Sequence, residues 1–374
     1  MTRPSEPWLP EAVLEAVLPA GRLSITATSL SDWPLPELLD IGMRQNPRRP
    51  FLLVSKVLGK HLPTDPALMQ RAQHALAGLV APALGGPWAL VGMAETATAL
   101  AEGVAEELSG LTPHPGLMAT TTRYSLPGRE SLDLEETHSH APQLRLYLPP
   151  AELALRGVTD LIFVDDEVTT GLTLARLAAR LRAHLPALKR LHLVTLADFS
   201  GGSGAMRMAE SAGVPVGVHA LTRGQLEFTP TPGWTATLPD VEARFAPAPL
   251  SDHPRGWRTV QTSPAPALTA RPGERVLVLG SGEYMYRPYR AAFHLAAQGA
   301  EVRFMATTRS PALKCGPLGP RLDFTDAYGE GTPNYLYDPQ PQRYDRVLLL
   351  HETPTAPVLP GDWPNLTSLR LGSG

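Results

Sequence analysis

Cysteine is almost missing from this chain: Cys315 stands alone among 374 residues. That excludes an internal disulfide and fits a reducing compartment, so a cytoplasmic location is expected. No run of 18 apolar residues occurs, and Met1–Pro10 has no apolar stretch, so neither a membrane span nor a signal peptide is expected. An excess of one charge is also lacking. The formal net charge is −3, which provides no general attraction to nucleic acid. Lysine is scarce: only Lys56, Lys60, Lys189 and Lys314 among 33 basic residues. In a chain that defaults to arginine, a lysine marks a place where a compact point charge matters. Lys56 and Lys60 share one loop, whereas Lys189 has the context of a surface residue.

What is present describes a globular α/β protein. A hydrophobic content of 43% and a charged content of 18% suit a buried core, and the length suits two or three domains. Forty prolines and 32 glycines are spread along the chain, which points to long ordered loops. Leu9, Val13, Leu14, Val17 and Leu18 have helical spacing and predict an amphipathic helix within residues 1–20. Residues 24–28 read as a short strand, 36–44 as a turn or two of helix, and 51–54 as the first core strand. A helix over 66–80, and one opened by the small residues 92–100 and extending to 108, alternate with strands over 88–91 and 118–123. Tyr124–Ala141 lacks a core pattern and has the length of a lid. Strands over 191–196 and 214–218 flank a helix over 205–212. The alternation from Phe51 onward predicts a parallel sheet covered by helices. Residues 229–272, rich in proline, threonine, alanine and serine, read as a crossing segment. A second, smaller Rossmann-like α/β unit follows, with strands over 275–279 and 301–305 around a helix over 288–298. Its turn Gly280-Ser281-Gly282-Glu283 is no dinucleotide fingerprint, because a third glycine is missing and Glu283 repels a diphosphate.

The most informative stretch is Leu161–Thr173. Four apolar residues read as a buried strand. Asp165, Asp166 and Glu167 follow at its carboxyl end, then Val168-Thr169-Thr170-Gly171-Leu172-Thr173 leads into a helix. A helix N-terminus offers free N–H groups and a positive dipole end to a phosphate. Adjacent carboxylates repel phosphate but suit hydroxyl groups and a hard cation beside it. A phosphate cradle next to a diol-binding acidic pair describes a ribose 5-phosphate site.

This stretch resembles the phosphoribosyl-pyrophosphate motif of type I phosphoribosyltransferases. The resemblance implies that Asp165 and Asp166 contact the ribose hydroxyls and Mg²⁺, and that Val168–Thr173 wraps the 5-phosphate. It assigns pyrophosphate to Ser55, Lys56, Val57, Gly59 and Lys60, with Glu95 and Thr96 in the following loop. Glu95 has two readings, a cation held through water or a lysine held in orientation. His138 and His140 in the lid are candidates for work on the acceptor or on pyrophosphate; two such histidines make no metal site by themselves. Thr307-Thr308-Arg309-Ser310-Pro311 and Lys314-Cys315-Gly316 resemble the C-terminal domain named for its Thr-Arg-Ser-Pro tetrapeptide. That domain accompanies a bacterial orotate-phosphoribosyltransferase-like family found with tellurite-resistance and stress-response genes. Ser55–His61, Gly92–Ala97 and Glu135–Ala141 look like the same family.

The resulting expectations are a phosphoribosyltransferase domain over 1–228 with an N-terminal extension, a connecting segment over 229–272 and a C-terminal domain over 273–374. The activity implied is Mg²⁺-dependent transfer of phosphoribose from phosphoribosyl pyrophosphate to an unidentified small-molecule acceptor, without nucleic acid or membrane, and a homodimer is left open. Lys56, Lys60, Asp165, Asp166, His138 and His140 carry the reaction in this reading. In the C-terminal unit Glu283, Arg287, Arg309, Ser310 and Lys314 are expected to line one cleft with Asp323, Asp326, His351 and Glu352. Two alternatives stay open: a sensor that binds the donor without turnover, and a bifunctional chain whose C-terminal domain is a hydrolase or phosphatase.

Overall fold

The computed structural model describes residues 11–126, 128–135, 143–149, 155–236, 255–262, 266–329 and 331–371. In chain order the first elements are β1 (Ala12–Leu18), β2 (Gly21–Ser29), α1 (Leu35–Leu38), β3 (Leu39–Arg44), β4 (Phe51–Ser55), α2 (Pro66–Val80) and β5 (Trp88–Gly92). Next come α3 (Thr98–Leu111), β6 (Gly116–Thr120), β7 (Ser131–Glu135), β8 (Gln143–Tyr147), β9 (Asp160–Val168) and α4 (Leu172–Arg182). Then follow β10 (Arg190–Asp198), α5 (Ser203–Ala212), β11 (Val216–Pro230) and β12 (Arg258–Thr259). The C-terminal part adds β13 (Arg275–Gly280), α6 (Tyr286–Ala297), β14 (Glu301–Ala306), β15 (Ala312–Leu313), β16 (Arg321–Thr325), β17 (Pro333–Tyr337), β18 (Arg346–His351) and β19 (Leu366–Arg370).

The expected α/β fold is present. The large sheet has the order β1-β2-β11-β10-β9-β5-β6-β12. Its five central strands, β11, β10, β9, β5 and β6, are parallel, and β1, β2 and β12 add antiparallel edges. The parallel strands run as near-continuous apolar stretches because both faces are covered. Leu161, Ile162, Phe163 and Val164 of β9 are fully buried. One face packs on α2 and α3, the other on α4 and α5. Strand order reverses between β5 and β9: the chain leaves β5 toward β6 on one side and β9 toward β10 on the other. Such a switch point opens a crevice beyond the carboxyl ends of the two strands. That crevice is where the loops 93–97 and 165–171 meet.

Several expectations fail here, each for a physical reason. Residues 12–18 form a strand instead of a helix. Leu14, Ala16 and Leu18 point inward, and Val13, Glu15 and Val17 point outward. The apolar spacing fits both periods, and seven paired residues on β2 decide for the strand. Only Leu35–Leu38 of the expected helix over 36–44 is helical; the rest is β3, which pairs antiparallel with β4. Phe51–Ser55 is thus outside the large sheet, in a small antiparallel sheet β15-β3-β4. The expected lid contains a strand, β7, which pairs antiparallel with β8 just beyond it, and Leu134, Leu144 and Leu146 of the pair are buried. His138 and His140 lie outside the described residues. β11 runs to Pro230, far beyond the expected 214–218, because its second half pairs with β2.

The C-terminal part forms a four-stranded parallel sheet, β14-β13-β18-β19. One face packs on α6 and shares a core with Met69 of α2 and Ala99 of α3. The two units are stitched together by backbone as well. Thr64 and Phe304 exchange both N–H···O bonds at 2.8 Å, and Ala306 N–H donates to Gly59 O at 2.7 Å. Gly59 has φ +63°, and a Cβ there would meet the Phe304 ring at 2.4 Å. Only glycine satisfies both constraints. Leu313 of β15 pairs with Met43, so the C-terminal unit completes the small sheet of the N-terminal one.

Candidate active site

Asp165, Asp166 and Glu167 stand at the carboxyl end of β9, half-buried, and line one cleft of about 240 Å³. The Asp166 N–H donates to Asp165 Oδ1 at 3.0 Å. Glu167 is taken by Arg49 at 2.5 Å. Burial, then the charge of Glu167, pushes the Asp166 carboxyl up to about 6. A carboxylate held in such surroundings gains by meeting a cation or a hydroxyl donor.

The chain turns sharply after Val168. Gly171 has φ +67°, and a Cβ would lie 2.5 Å from Gly204 Cα, so glycine is obligatory. It stands at the N-cap of α4, where no side chain caps the helix. Leu172 N–H donates to Thr170 Oγ1 at 3.4 Å, and the N–H groups of Thr173 and Leu174 are left for solvent or a ligand. Thr170 O accepts from Arg207 Nη1 at 2.8 Å, which ties the turn to α5. Thr169 and Thr173 are half-buried beside it, and Thr170 and Leu172 are exposed.

The second wall is the loop after β5. Met93, Ala94, Glu95 and Thr96 line the cleft, and Met93 N–H donates to Val164 O at 2.9 Å across the switch point. α3 follows, also without a side-chain cap. The third wall comes from the small sheet and the loop after it: Arg44, Arg49, Leu52, Leu53 and His61. Arg123 follows β6, and Thr308, Arg309 and Ser310 arrive from the C-terminal unit.

The two loop lysines go elsewhere. Lys56 is about one-third exposed, pairs with Asp40 at 3.3 Å and donates to Pro36 O at 2.9 Å. It does not line the cleft. Lys60 is sealed at 1% exposure. Its Nζ pairs with Glu95 at 2.6 Å and donates to Gly282 O at 2.8 Å and Thr307 O at 2.9 Å. Of the two readings for Glu95, the geometry matches the one that orients a lysine. Burial pushes the Glu95 carboxyl up, but Lys60, Arg309 and Arg123 outweigh it and hold it below its ordinary value. Ser55 accepts from Val57 N–H at 3.2 Å, and Val57 is core.

The cleft expected within the C-terminal unit does not form around the named residues. Glu283 and Glu352 converge on Arg255 instead, at 2.7 and 2.5 Å. Glu283 also accepts from Thr122 Oγ1 at 2.6 Å and from Arg123 N–H at 2.8 Å. Arg255 is 3% exposed, and its carboxylates are nearly as deeply buried, so this cluster is a sealed strut between the units. Lys314 is exposed, Asp323 pairs with Arg321 at the surface, and His351 bonds to Thr353 O; Arg287 does not line the cleft. Of that expected group, Arg309 and Ser310 line the cleft at Asp165 and Asp166.

Arg44, Arg49 and Arg255 carry no signal in the sequence, whereas Arg123 and His61 stand there within the run 118–123 and the stretch Ser55–His61. In a chain with so many arginines no single one stands out by type: Arg44 closes β3, Arg49 comes from the β3–β4 connection, Arg123 from beyond β6 and Arg255 from just before β12. His61 is the sharpest of them. It is 4% exposed, borders the cleft, and its Nε2 has no hydrogen-bond partner. Burial, then neighbouring Lys60, pushes its pKa down to about 4, so the ring is neutral at pH 7.

A family model described as phosphoribosyl transferase matches residues 38–225. A second, described as the TRSP domain C-terminal to it, matches residues 252–360. The adenine phosphoribosyl transferase of Trypanosoma brucei is 13% identical, with 52% of this chain and 82% of that chain covered at a TM-score of 0.39. The orotate phosphoribosyltransferase of Aeropyrum pernix is 19% identical, with 46% and 79% covered at 0.30. The adenine phosphoribosyltransferase of Saccharomyces cerevisiae is 16% identical, with 49% and 95% covered at 0.34. The comparison with curated proteins returned no match. The first family model spans half of the chain and takes in β9, its acidic end and the turn before α4, and on that match the chain belongs to the phosphoribosyl transferase family, an enzyme family, and carries the TRSP domain at its C-terminal side.

Proposed function

We propose that this protein transfers phosphoribose from phosphoribosyl pyrophosphate to a small-molecule acceptor and releases pyrophosphate. The observation that carries the reading is the acidic pair at the switch-point crevice. Asp165 and Asp166 face an open cleft, and the neighbouring turn with Gly171 leaves a helix N-terminus uncapped. The pair suits the ribose hydroxyls, and the turn Val168–Thr173 suits the 5-phosphate. Among the described residues no three His, Cys, Asp or Glu side chains gather into a metal cage. Asp165 and Asp166 nonetheless fit a hard cation shared with the donor's own oxygens, as Mg²⁺ usually is. When bound, Mg²⁺ would neutralise charge on the diphosphate. The resemblance to the tellurite-associated family supports a nucleotide-like product in a cytoplasmic stress response. Among the described residues no helix is long and apolar enough to cross a membrane.

In the reaction the C1–O bond to the diphosphate breaks, a bond from C1 to the acceptor forms, and the acceptor loses a proton. Positive charge builds on the ribose ring as the leaving group departs, as in glycoside chemistry. The carboxylates of the cleft stabilise that charge, and its arginines stabilise the leaving diphosphate. Leu52, Leu53 and Met93 give the cleft an apolar side against which an acceptor can stand.

The test is calorimetry of phosphoribosyl pyrophosphate with Mg²⁺, then pyrophosphate release with a panel of bases and a cell extract. Donor binding by the wild type is expected. Asp165→Asn with Asp166→Asn is expected to lower turnover on the order of 10²–10³-fold, the scale for losing a preorganised electrostatic group. Unchanged donor affinity and turnover in that double variant would sink the reading. Binding without release of pyrophosphate across the panel would favour a sensor.

A further inference from the structure

We infer that Arg309, carried by the C-terminal unit, is a ligand for the donor's diphosphate, so that the transfer cleft is assembled from both units. The inference rests on the function proposed above and begins with an elimination. Asp165, Asp166 and the turn 168–173 account for the ribose and the 5-phosphate. The diphosphate still needs cations, and neither loop lysine borders the cleft. The cations that do border it are Arg44, Arg49, Arg123 and Arg309, with neutral His61. Arg49 holds Glu167, and Arg44 Nε donates to Arg49 O at 2.9 Å within the small sheet. Arg309 is engaged too, by Asp326, so the choice among the four rests on position, which singles out Arg123 and Arg309. They flank Glu95 together, in the loop that leads to the uncapped N-terminus of α3.

The placement of Arg309 is strongly fixed. Lys60 Nζ grips Thr307 O, and Glu95 accepts from the Arg309 N–H at 3.3 Å. Leu313, four residues on, is paired into the small sheet. Asp326 accepts from Arg309 Nη2 at 3.0 Å, and the guanidinium lies 4.3 Å from the Tyr124 ring centroid. Tyr124 in turn stacks on Tyr328 at 4.0 Å. A guanidinium clamped in plane and position loses little freedom on meeting an oxyanion, which is the advantage of arginine over lysine there. The Lys60–Glu95 pair then has a role: it docks the Thr308-Arg309-Ser310 segment against the cleft. A C-terminal unit so placed is a wall of the transferase.

The test uses the full chain and Mg²⁺ with inorganic pyrophosphate, then phosphoribosyl pyrophosphate, by calorimetry. Arg309→Gln is expected to weaken pyrophosphate binding at least tenfold. Arg309→Lys, which keeps the charge and loses the fork, should weaken it by roughly three- to tenfold. Arg303→Gln, on β14 but paired at the surface with Asp65, is the control and should bind as the wild type does. Wild-type donor binding with unchanged affinity in both Arg309 variants overturns this inference and leaves the proposed function standing. A wild type that binds neither ligand overturns the proposed function itself. If Arg309→Gln fails to fold, the Arg309→Lys affinity decides.

Discussion

Two pairs of acids occupy equivalent places in this molecule and have opposite fates. Asp165 and Asp166 follow a parallel strand of the large sheet; Glu283 and Glu352 follow parallel strands of the small one. The latter is the four-stranded sheet β14-β13-β18-β19, and all four acids sit where α/β sheets gather ligands. The first pair stays half-buried in an open cleft, with Asp166 pushed up to about 6. The second pair is sealed and shares one guanidinium, Arg255. Position at a strand end therefore does not make a site. What distinguishes them is burial: one pair borders a cleft, and the other is closed around Arg255.

The comparison breaks most visibly at Arg255. Arg255→Leu leaves Glu283 and Glu352 buried without their cation and should destabilise the protein by about 3–5 kcal/mol. Urea unfolding at pH 7 measures it, and a loss below about 1 kcal/mol would mean the strut is not one. The opposite sign is expected at the other pair. The folded pKa of Asp166 is raised from 3.8 to about 6, so the native state holds that proton more tightly. Its contribution to stability is fully present below about 3.8 and is lost as pH rises through about 6. Asp166→Asn removes the ionised group, so its stability relative to the wild type should improve by about 1–3 kcal/mol between pH 4 and pH 7. Denaturation series at the two pH values test this, and a flat difference refutes it. The smallest effect is expected at Lys56. Its half-exposed pair with Asp40 is worth about 0–1 kcal/mol, so Lys56→Met should shift stability by no more than that. Its donor affinity should stay within about twofold of wild type by calorimetry, and a large loss would return the diphosphate to the lysine loop.

The strands of the large sheet were legible because burial on both faces requires runs such as Leu161–Val164. The second unit was legible for the same reason, in the strands expected over 275–279 and 301–305 and found as Arg275–Gly280 and Glu301–Ala306. The edges were not. Leu14, Ala16 and Leu18 fit a strand as well as their neighbours fit a helix, and only β2 breaks the tie. β3 reads as helix and β4 as the first strand of the βα alternation, yet they pair with each other, and β3 with β15 from far along the chain. The partners of charges were least legible of all. Lys60 reads as a phosphate ligand beside its own loop, but Glu95, Gly282 and Thr307 take it.

Leu161–Thr173 by itself determined the strand, the acidic end, the glycine turn and the helix start, because each depends on residues within a turn or two of its neighbours. Backbone sterics and helix-end hydrogen bonding are local, so thirteen residues suffice to specify them. Only the tertiary structure decided which charges face the cleft and which are sealed. Desolvation and Coulomb energy depend on neighbours in space, and those neighbours come from other loops and from the other unit. The Thr-Arg-Ser-Pro segment reads in sequence as a second domain's motif, and in space it stands at the edge of the first domain's cleft.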